Sequence, residues 1–199
     1  PVWDFEFAGF RMADPRQIFG DGLLMMQPYR PGRIPVVLVH GTASSPARWA
    51  DMINELTNDP IIEGRYQVWL FQYNTGQPIL YSAMLLRRAL GNIVNELDPN
   101  GKDPALCQMV VMGHSQGGLL TKLMTVKSRS RFWKNVNTEP FDEVQMPQET
   151  RQLLRDAEFF DPVPDVKRVV FMATPHRTTQ CWNLAQDIDA VEKGCSNFG

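Results

Sequence analysis

The sequence predicts an α/β fold, with a mostly parallel sheet and helices on both faces. Short apolar runs alternate along the chain with segments that have the spacing of amphipathic helices, which is the pattern of βαβ units. The strand candidates are apolar throughout, as strands buried on both faces of a sheet should be. A length of 199 residues suits one domain, or most of one. We therefore expect a single, partial domain over residues 1–199.

Composition narrows the possible functions. Hydrophobic residues make up 43% of the chain and charged residues 21%, which is ordinary for a globular protein and unlike a disordered one. The formal charge is −2, from 20 basic and 22 acidic residues, so no basic excess predicts a nucleic-acid partner. No apolar run approaches the roughly 20 residues of a membrane span. The chain begins at Pro1 rather than Met, so the compartment stays open, with the cell envelope or secretion possible if a signal segment preceded it.

Cofactor motifs are not evident in the sequence. The three cysteines, Cys107, Cys181 and Cys195, are too few and too scattered for a disulfide framework, and no CxxC pair indicates zinc. No phosphate-binding loop or metal-ligand spacing appears either. We expect neither a metal nor another cofactor.

The first half of the chain predicts two strands, each followed by a helix. The run Val36–His40 is β-branched and apolar, and Ser45 before Pro46 is typical of a helix N-cap. A second strand is expected over about residues 67–73, followed by a turn at residues 74–76. An apolar stripe over about residues 78–97 predicts a helix that residues 98–101 terminate. We expect residues 1–33 to supply an edge strand or two.

The second half begins with a strand over residues 108–112 that runs into the sequence GHSQGG. A helix is expected over residues 119–127, and a further strand over residues 168–173. Residues 128–165 interrupt the alternation of strand and helix patterns. They predict a lid-like insertion with at least one helix, over about 147–157. The last residues, from about 180 onward, have a helical pattern.

The segment Gly113-His114-Ser115-Gln116-Gly117 fits the GxSxG nucleophile elbow. The pattern needs a strand before it and a helix after it, and both are predicted here. Small neighbours allow the tight, strained turn to close around the serine. Ser115 is therefore the expected nucleophile, against the alternative of a glycine-rich turn with an idle serine.

A serine hydrolase also needs two backbone N–H donors for the oxyanion. One comes from the residue after the nucleophile, which is Gln116, and the other from a loop after an earlier strand. His40-Gly41-Thr42 follows such a strand, so Thr42 is the expected second donor. Alone, the His-Gly pair could be a helix-entry turn with a packed histidine.

Four segments together resemble an α/β-hydrolase of the bacterial lipase and esterase type. They are PVVLVHGTASSPARW, YQVWLFQYNTGQP, GHSQGGLL and VVFMATPHR, and they span most of the chain. The resemblance implies hydrolysis of a small-molecule or lipid ester through an acyl-enzyme on Ser115, with Thr42 and Gln116 as oxyanion donors. It places supporting roles, not the general base, on the motif positions His40, Gly41, Gly113, His114 and Gly117.

The triad of such enzymes follows the order Ser…Asp/Glu…His, and this chain departs from it. Only 199 − 173 = 26 residues follow Ala173, whereas one βαβ unit takes ~30 or more. We expect the last strands, the catalytic acid and the catalytic histidine to lie outside this chain, which would leave it inactive alone. His176 is the other candidate base, although Pro175-His176 is a common structural feature of such sequences. Asp187 and Asp189 fit an acid by chain order but suit surface carboxylates better.

Two alternatives to ester hydrolysis remain open. The same elbow could serve an acyltransferase or an amidase, or the domain could be a non-catalytic binding module of this fold. The basic segment Lys127–Lys134 contains Phe132 and Trp133, which could make a peripheral membrane contact or form a solvated helix end with two packed aromatic rings. The aromatic residues of the insertion favour an apolar acyl group.

Overall fold

The computed structural model describes residues 21–176, which form one mixed sheet with helices on both faces. Its strands are β1 (Gly22–Met25), β2 (Ile34–Val39), β3 (Tyr66–Gln72), β4 (Met109–His114) and β5 (Val166–Met172). Their spatial order is β1-β3-β2-β4-β5. Strands β2 to β5 pair in parallel, and β1 pairs antiparallel with β3 at one edge. The predicted α/β sheet and one of the expected N-terminal edge strands are confirmed.

Six α-helices occur in residues 21–176. They are α1 (Ala50–Asn58), α2 (Pro60–Arg65), α3 (Ile79–Leu97), α4 (Gln116–Leu123), α5 (Arg131–Val136) and α6 (Gln148–Glu158). A 3₁₀ turn, Pro46–Trp49, precedes α1, and the hydroxyl of Ser45 accepts from the N–H of Ala47 as its N-cap. A second 3₁₀ turn, Leu106–Gln108, precedes β4. None of these described helices is long and apolar enough to cross a membrane.

Strand β2 is apolar on both of its sides, and apolar residues pack against it on both faces of the sheet. Val37 and Val39 belong to the larger core, where Leu86 of α3 and Leu120 of α4 are fully buried. The alternating residues of β2 point the other way and pack with Trp49 against the opposite face. This alternation is the period of two of a strand. It explains why an uninterrupted apolar run forms a central strand.

Two helix predictions need correction. The helix expected over residues 119–127 begins at Gln116 and ends at Leu123, because the turn at Ser115 passes directly into helical backbone. Helix α2 was not predicted. Asp59 caps it by accepting from the N–H groups of Ile61 and Ile62. Asp59 followed by Pro60 is a recognisable start signal for a helix, but the segment is too short to show a period.

The predicted insertion lies between α4 and β5 and contains α5 and α6. It is anchored at the amino ends of the parallel strands, where Asp165 accepts from the N–H of Met109 at 2.9 Å, and Met124 accepts from Val163 at 2.8 Å. Ser115 lies beyond the carboxyl end of β4, about 20 Å along the strand from Met109. The role of the insertion as a lid therefore stays a prediction.

The aromatic residues of the insertion pack on one another. The rings of Trp133 and Phe141 meet edge to face at 4.8 Å, and those of Phe132 and Phe160 stack at 5.8 Å. Phe132 and Trp133 are buried, as expected for a solvated helix end with two packed rings. Phe132 belongs to the larger core, and Phe160 packs against it. The expectation that the aromatic residues of the insertion favour an apolar acyl group stays a prediction. Membrane contact by the neighbouring basic residues stays a prediction.

Candidate active site

Ser115 occupies a strained turn between β4 and α4. Its backbone angles are φ 52° and ψ −122°, a combination that L-residues with a side chain rarely adopt. The N–H of Ser115 donates to the carbonyl of Met172 on β5 at 2.8 Å, and its carbonyl accepts from Gly118 at 3.0 Å. The Ser115 side chain makes no capping hydrogen bond to α4. Backbone hydrogen bonds thus hold the turn on both sides, and within residues 21–176 the Ser115 hydroxyl is not used to cap the helix.

Glycines allow the elbow to sit against the end of β2. A Cβ atom on Gly117 would lie 2.3 Å from the carbonyl oxygen of Val39 and 2.4 Å from that of His40. A Cβ atom on Gly41 would lie 2.8 Å from the Cβ of Ser115. Glycine at these two positions therefore brings the His-Gly loop into direct contact with the nucleophile turn. Gly113 is equally confined, by the backbone of Gly117.

The two predicted oxyanion donors lie side by side. The hydroxyl of Thr42 donates to the side-chain Oε1 of Gln116 at 2.8 Å, although the two residues are 74 positions apart. Within residues 21–176, neither backbone N–H of this pair donates a hydrogen bond to a protein acceptor. Gln116 is also the first residue of α4, where the N–H has no intrahelical partner and the helix dipole favours negative charge.

Thr75 is a residue of this site that the sequence analysis treated only as part of a turn. Its hydroxyl accepts from the N–H of Ala43 at 3.1 Å, and its carbonyl accepts from Nε2 of Gln116 at 3.4 Å. Thr75 follows β3, the parallel neighbour of β2. Because the carboxyl ends of neighbouring parallel strands meet at one edge, the turn after β3 could have been expected there.

His40 is fully buried beneath the His-Gly loop. Its Nδ1 lies 3.1 Å from the carbonyl of Gly41, and its ring stacks on Tyr73 at 4.6 Å. The hydroxyl of Tyr73 donates to the His40 carbonyl at 2.9 Å. Burial lowers the pKa of His40 to about 4, so the ring is neutral near pH 7. These contacts fit the supporting role predicted for His40.

His114 lies on the other side of the elbow. Its ring meets the buried Trp49 edge to face at 6.4 Å, on the face of the sheet that α1 covers. A Cβ atom on Gly41 would lie 3.2 Å from its Nδ1. These contacts fit a supporting role for His114.

His176 follows β5, close to the strand end that bonds Ser115. Its ring meets Phe171 edge to face at 5.0 Å, and its N–H donates to the carbonyl of Thr174 at 3.0 Å. Among residues 21–176, no hydrogen bond joins His176 to Ser115 or to a carboxylate, and its Nδ1 is buried without a partner. Its role as base stays a prediction. Asp187, Asp189 and the predicted C-terminal helix lie outside the described residues.

Metal ligation has no candidate in the part of the chain that the structure describes. No group of three or more His, Cys, Asp or Glu side chains lies close enough together there to hold an ion. Cys107, the free cysteine among residues 21–176, is exposed on the turn before β4, and hydrogen bonding to Asp165 raises the pKa of its thiol.

Comparison with known proteins gives similar solved structures, and lipases and esterases are among them. Lipase BlEst2 of Bacillus licheniformis in its mature form is 17% identical, with a TM-score of 0.46 over 82% of this chain and 51% of its own. Esterase B of Lactobacillus rhamnosis is 16% identical, with a TM-score of 0.45 over 95% of this chain and 55% of its own. An acetylxylan esterase is 19% identical, with a TM-score of 0.42 over 76% of this chain and 67% of its own.

The chain therefore spans about half the length of the Bacillus lipase. No protein-family model and no curated protein sequence matches the chain.

Proposed function

We propose that this chain carries the nucleophile and the oxyanion donors of a serine hydrolase that acts on carboxylic esters. The observation that supports this most directly is that Thr42 and Gln116, which are joined by a 2.8 Å side-chain hydrogen bond, lie at the same sheet edge as Ser115, against which Gly41 packs closely. Donors that are already in place and unbonded can stabilise a developing oxyanion without reorganisation, which is the largest single contribution in many acyl-transfer enzymes. The substrates would be small-molecule or lipid esters.

The reaction would proceed in two steps. A base takes the proton from Ser115 Oγ as that oxygen bonds to the ester carbonyl carbon, and the carbonyl π electrons move onto its oxygen. The N–H groups of Thr42 and Gln116 hold the resulting oxyanion. Its collapse breaks the bond to the alcohol oxygen, which takes the proton from the base and leaves an acyl-enzyme. Water then attacks the acyl-enzyme in the same way and releases the acid.

In this proposal the general base is His176 or a histidine outside these 199 residues, since His40 and His114 are the only other histidines of the sequence. The packing of His40 on Tyr73 and of His114 against Trp49 supports assigning the base to neither of them. If His176 is the base, its ring must turn from Phe171 toward the elbow when substrate binds. Catalytic hydrogen bonds are often long or absent in ligand-free enzymes, so this rearrangement does not disqualify it.

Labelling with a fluorophosphonate tests the proposal on the chain as it exists. The wild type should be labelled at Ser115, located by mass spectrometry, and Ser115→Ala should not be labelled. Ser82→Ala is a matched control, because it removes a buried hydroxyl of α3 that makes no hydrogen bond within the described residues; it should label like the wild type. A chain that is folded by circular dichroism but does not label would mean that Ser115 has no base within these 199 residues. Labelling would then be repeated on a longer version of the protein, and failure to label Ser115 there as well would contradict the proposal. Loss of labelling in His176→Asn would identify the base.

Two other functions remain as outcomes of further tests. Transfer of the acyl group to an alcohol, or cleavage of an amide, would use the same serine, and product analysis with a competing alcohol separates them from hydrolysis. A non-catalytic binding role is favoured by the lack of a histidine bonded to Ser115 among residues 21–176. A chain that binds esters without being labelled or turning them over would establish that role.

A further inference from the structure

Three loops meet at the carboxyl edge of the sheet. Thr75 belongs to one of them and makes hydrogen bonds to each of the other two. The loop after β2 carries Thr42 and Ala43, the elbow carries Gln116, and the turn after β3 carries Thr75. Thr75 is 4% exposed. Its hydroxyl accepts from the N–H of Ala43 and its carbonyl from the Gln116 side chain. One buried threonine thereby connects both of the segments that carry the proposed oxyanion donors.

The bond from Ala43 to Thr75 holds a strained residue in place. Ala43 has φ 52°, in the left-handed region that costs an alanine energy and is retained only when its surroundings impose it. Its N–H belongs to the peptide that follows Thr42. Anchoring this N–H at 3.1 Å from the Thr75 hydroxyl limits rotation of the backbone on the carboxyl side of Thr42. The direction of the Thr42 N–H is restricted with it.

The side-chain amide of Gln116 has its orientation set by its two neighbours. The carbonyl of Thr75 can only accept, so the Gln116 atom facing it, at 3.4 Å, must be the amide nitrogen. The amide oxygen then faces Thr42 and accepts from its hydroxyl at 2.8 Å. This chain of bonds, from Thr75 through Gln116 to Thr42, links the two donor residues side chain to side chain.

We propose that Thr75 is a positioning residue of the active site, which sets the relative placement of the Thr42 and Gln116 N–H donors through its bonds to Ala43 and Gln116. The inference rests on the proposed serine-hydrolase function. It adds a residue outside the elbow and the His-Gly motif, one that would touch neither the substrate nor the reacting atoms. Misplacing a group by about 1 Å can cost on the order of 100-fold in rate. Loss of one anchoring bond should cost less, roughly tenfold.

The test compares Thr75→Val, which keeps the shape and removes the hydroxyl, with Thr75→Ser, which keeps the hydroxyl. Thr57→Val is the matched control, because it removes a threonine hydroxyl that donates to Ile53 at 2.8 Å within α1, away from the elbow. The measurement is the kinetics of fluorophosphonate labelling at Ser115, separated into probe affinity and phosphonylation rate. The phosphoryl oxygen of the probe gains charge during this step and uses the same donors as an ester oxyanion.

Thr75→Val should lower the phosphonylation rate about tenfold with unchanged probe affinity, while Thr75→Ser and Thr57→Val should stay within about twofold of the wild type. Hydrogen exchange of the Ala43 amide should accelerate in Thr75→Val and not in Thr75→Ser. If circular dichroism shows that Thr75→Val does not fold, only that variant is left out of the comparison. Thr75→Ala then provides the comparison with Thr75→Ser.

The outcomes separate the two proposals. If the wild type labels and the variant without the hydroxyl labels equally fast, the positioning role is overturned and the proposed function stands. If the Ala43 amide exchanges faster but the rate is unchanged, the contact exists without positioning the donors, which also overturns the inference. If the folded 199-residue chain does not label because its base lies outside it, the same variants are compared in a longer version of the protein. If Ser115 does not label there either, the proposed function fails and the positioning role fails with it.

Discussion

The substitution Gly117→Ala tests whether the elbow depends on close contact between α4 and the end of β2. The added Cβ atom would lie 2.3 Å from the carbonyl oxygen of Val39 and 2.4 Å from that of His40, whereas real Cβ contacts essentially never fall below 3.0 Å. The start of α4 must therefore retreat by at least 3.0 − 2.3 = 0.7 Å. Both obstacles are backbone atoms, so no side-chain rotation can relieve the clash.

This retreat should affect both stability and reactivity. Overpacking of this kind costs about 1–3 kcal/mol in the free energy of unfolding. Since Gln116 precedes Gly117, its N–H moves away from Thr42, and the labelling rate at Ser115 should fall on the order of 100-fold. Urea unfolding followed by circular dichroism measures the first effect, and the kinetics of fluorophosphonate labelling measures the second.

Gly91→Ala is the matched control, because the same chemical change should there have the opposite sign. Gly91 lies within α3, and a Cβ atom built on it meets nothing within 4 Å. Replacing an unhindered helical glycine by alanine should stabilise the protein by about 0.5–1 kcal/mol. A Gly117→Ala variant that is as stable and as reactive as the wild type would refute the steric reasoning.

Three further predictions concern the elbow, the buried histidine and the insertion. Ser115→Gly should raise the free energy of unfolding by about 1–2 kcal/mol in urea because it relieves the positive φ, whereas Ser115→Ala should not; equal stabilities would contradict this. The pKa of His40 is lowered from 6.5 to about 4, so the unfolded chain binds a proton that the folded chain does not. Stability should therefore fall by about 3 kcal/mol as the pH falls from about 6.5 to about 4, and His40→Gln should flatten that slope; an unchanged slope would argue against it. Arg87 donates to the carbonyls of Asp156 at 3.0 Å and Ala157 at 3.3 Å, so Arg87→Met should destabilise the fold by about 2 kcal/mol. Arg88→Met, which removes only an exposed ion pair, should lower the free energy of unfolding by at most about 1 kcal/mol in the same assay. Similar losses of stability in the two variants would contradict this reasoning.

Local features carried most of the fold prediction. The apolar run around Val37, the helical stripe of α3 and the strand before the elbow are each encoded within a few consecutive residues. The GxSxG pattern required a strand before Ser115 and a helix after it, and both are present. Prediction was weakest for α2, because six residues are too few to show a helical period.

The relation between Thr42 and Gln116 was only partly predictable. The oxyanion-donor roles proposed for their backbone N–H groups rest on the motifs and the resemblance, but the side-chain bond between the two residues joins positions 74 residues apart. No periodicity reports such a contact, because it depends on how the loops after two different strands are placed. The contacts of Thr75 could not be predicted for the same reason, since they join different loops. In the sequence, its turn looks like an ordinary connection between a strand and a helix.

The insertion shows the same division. Its existence was evident from the break in the βα rhythm, and the amphipathic pattern placed α6 to within a residue or two. The sequence did not show whether the aromatic rings of the insertion face a substrate or one another, because an apolar side chain predicts burial but not the residue it packs against. The tertiary structure decided that Trp133 packs on Phe141.

The layered α/β architecture, the tight turn at Ser115 and the order of the loops around it followed from the sequence, since each depends on short-range periodicity and on the steric needs of single residues. The contacts between loops, the partners of the aromatic rings and the burial of the histidines could be read from the folded chain but not from the sequence. Those outcomes depend on contacts between distant segments, and such contacts form only once the parallel strands bring their carboxyl ends to one edge.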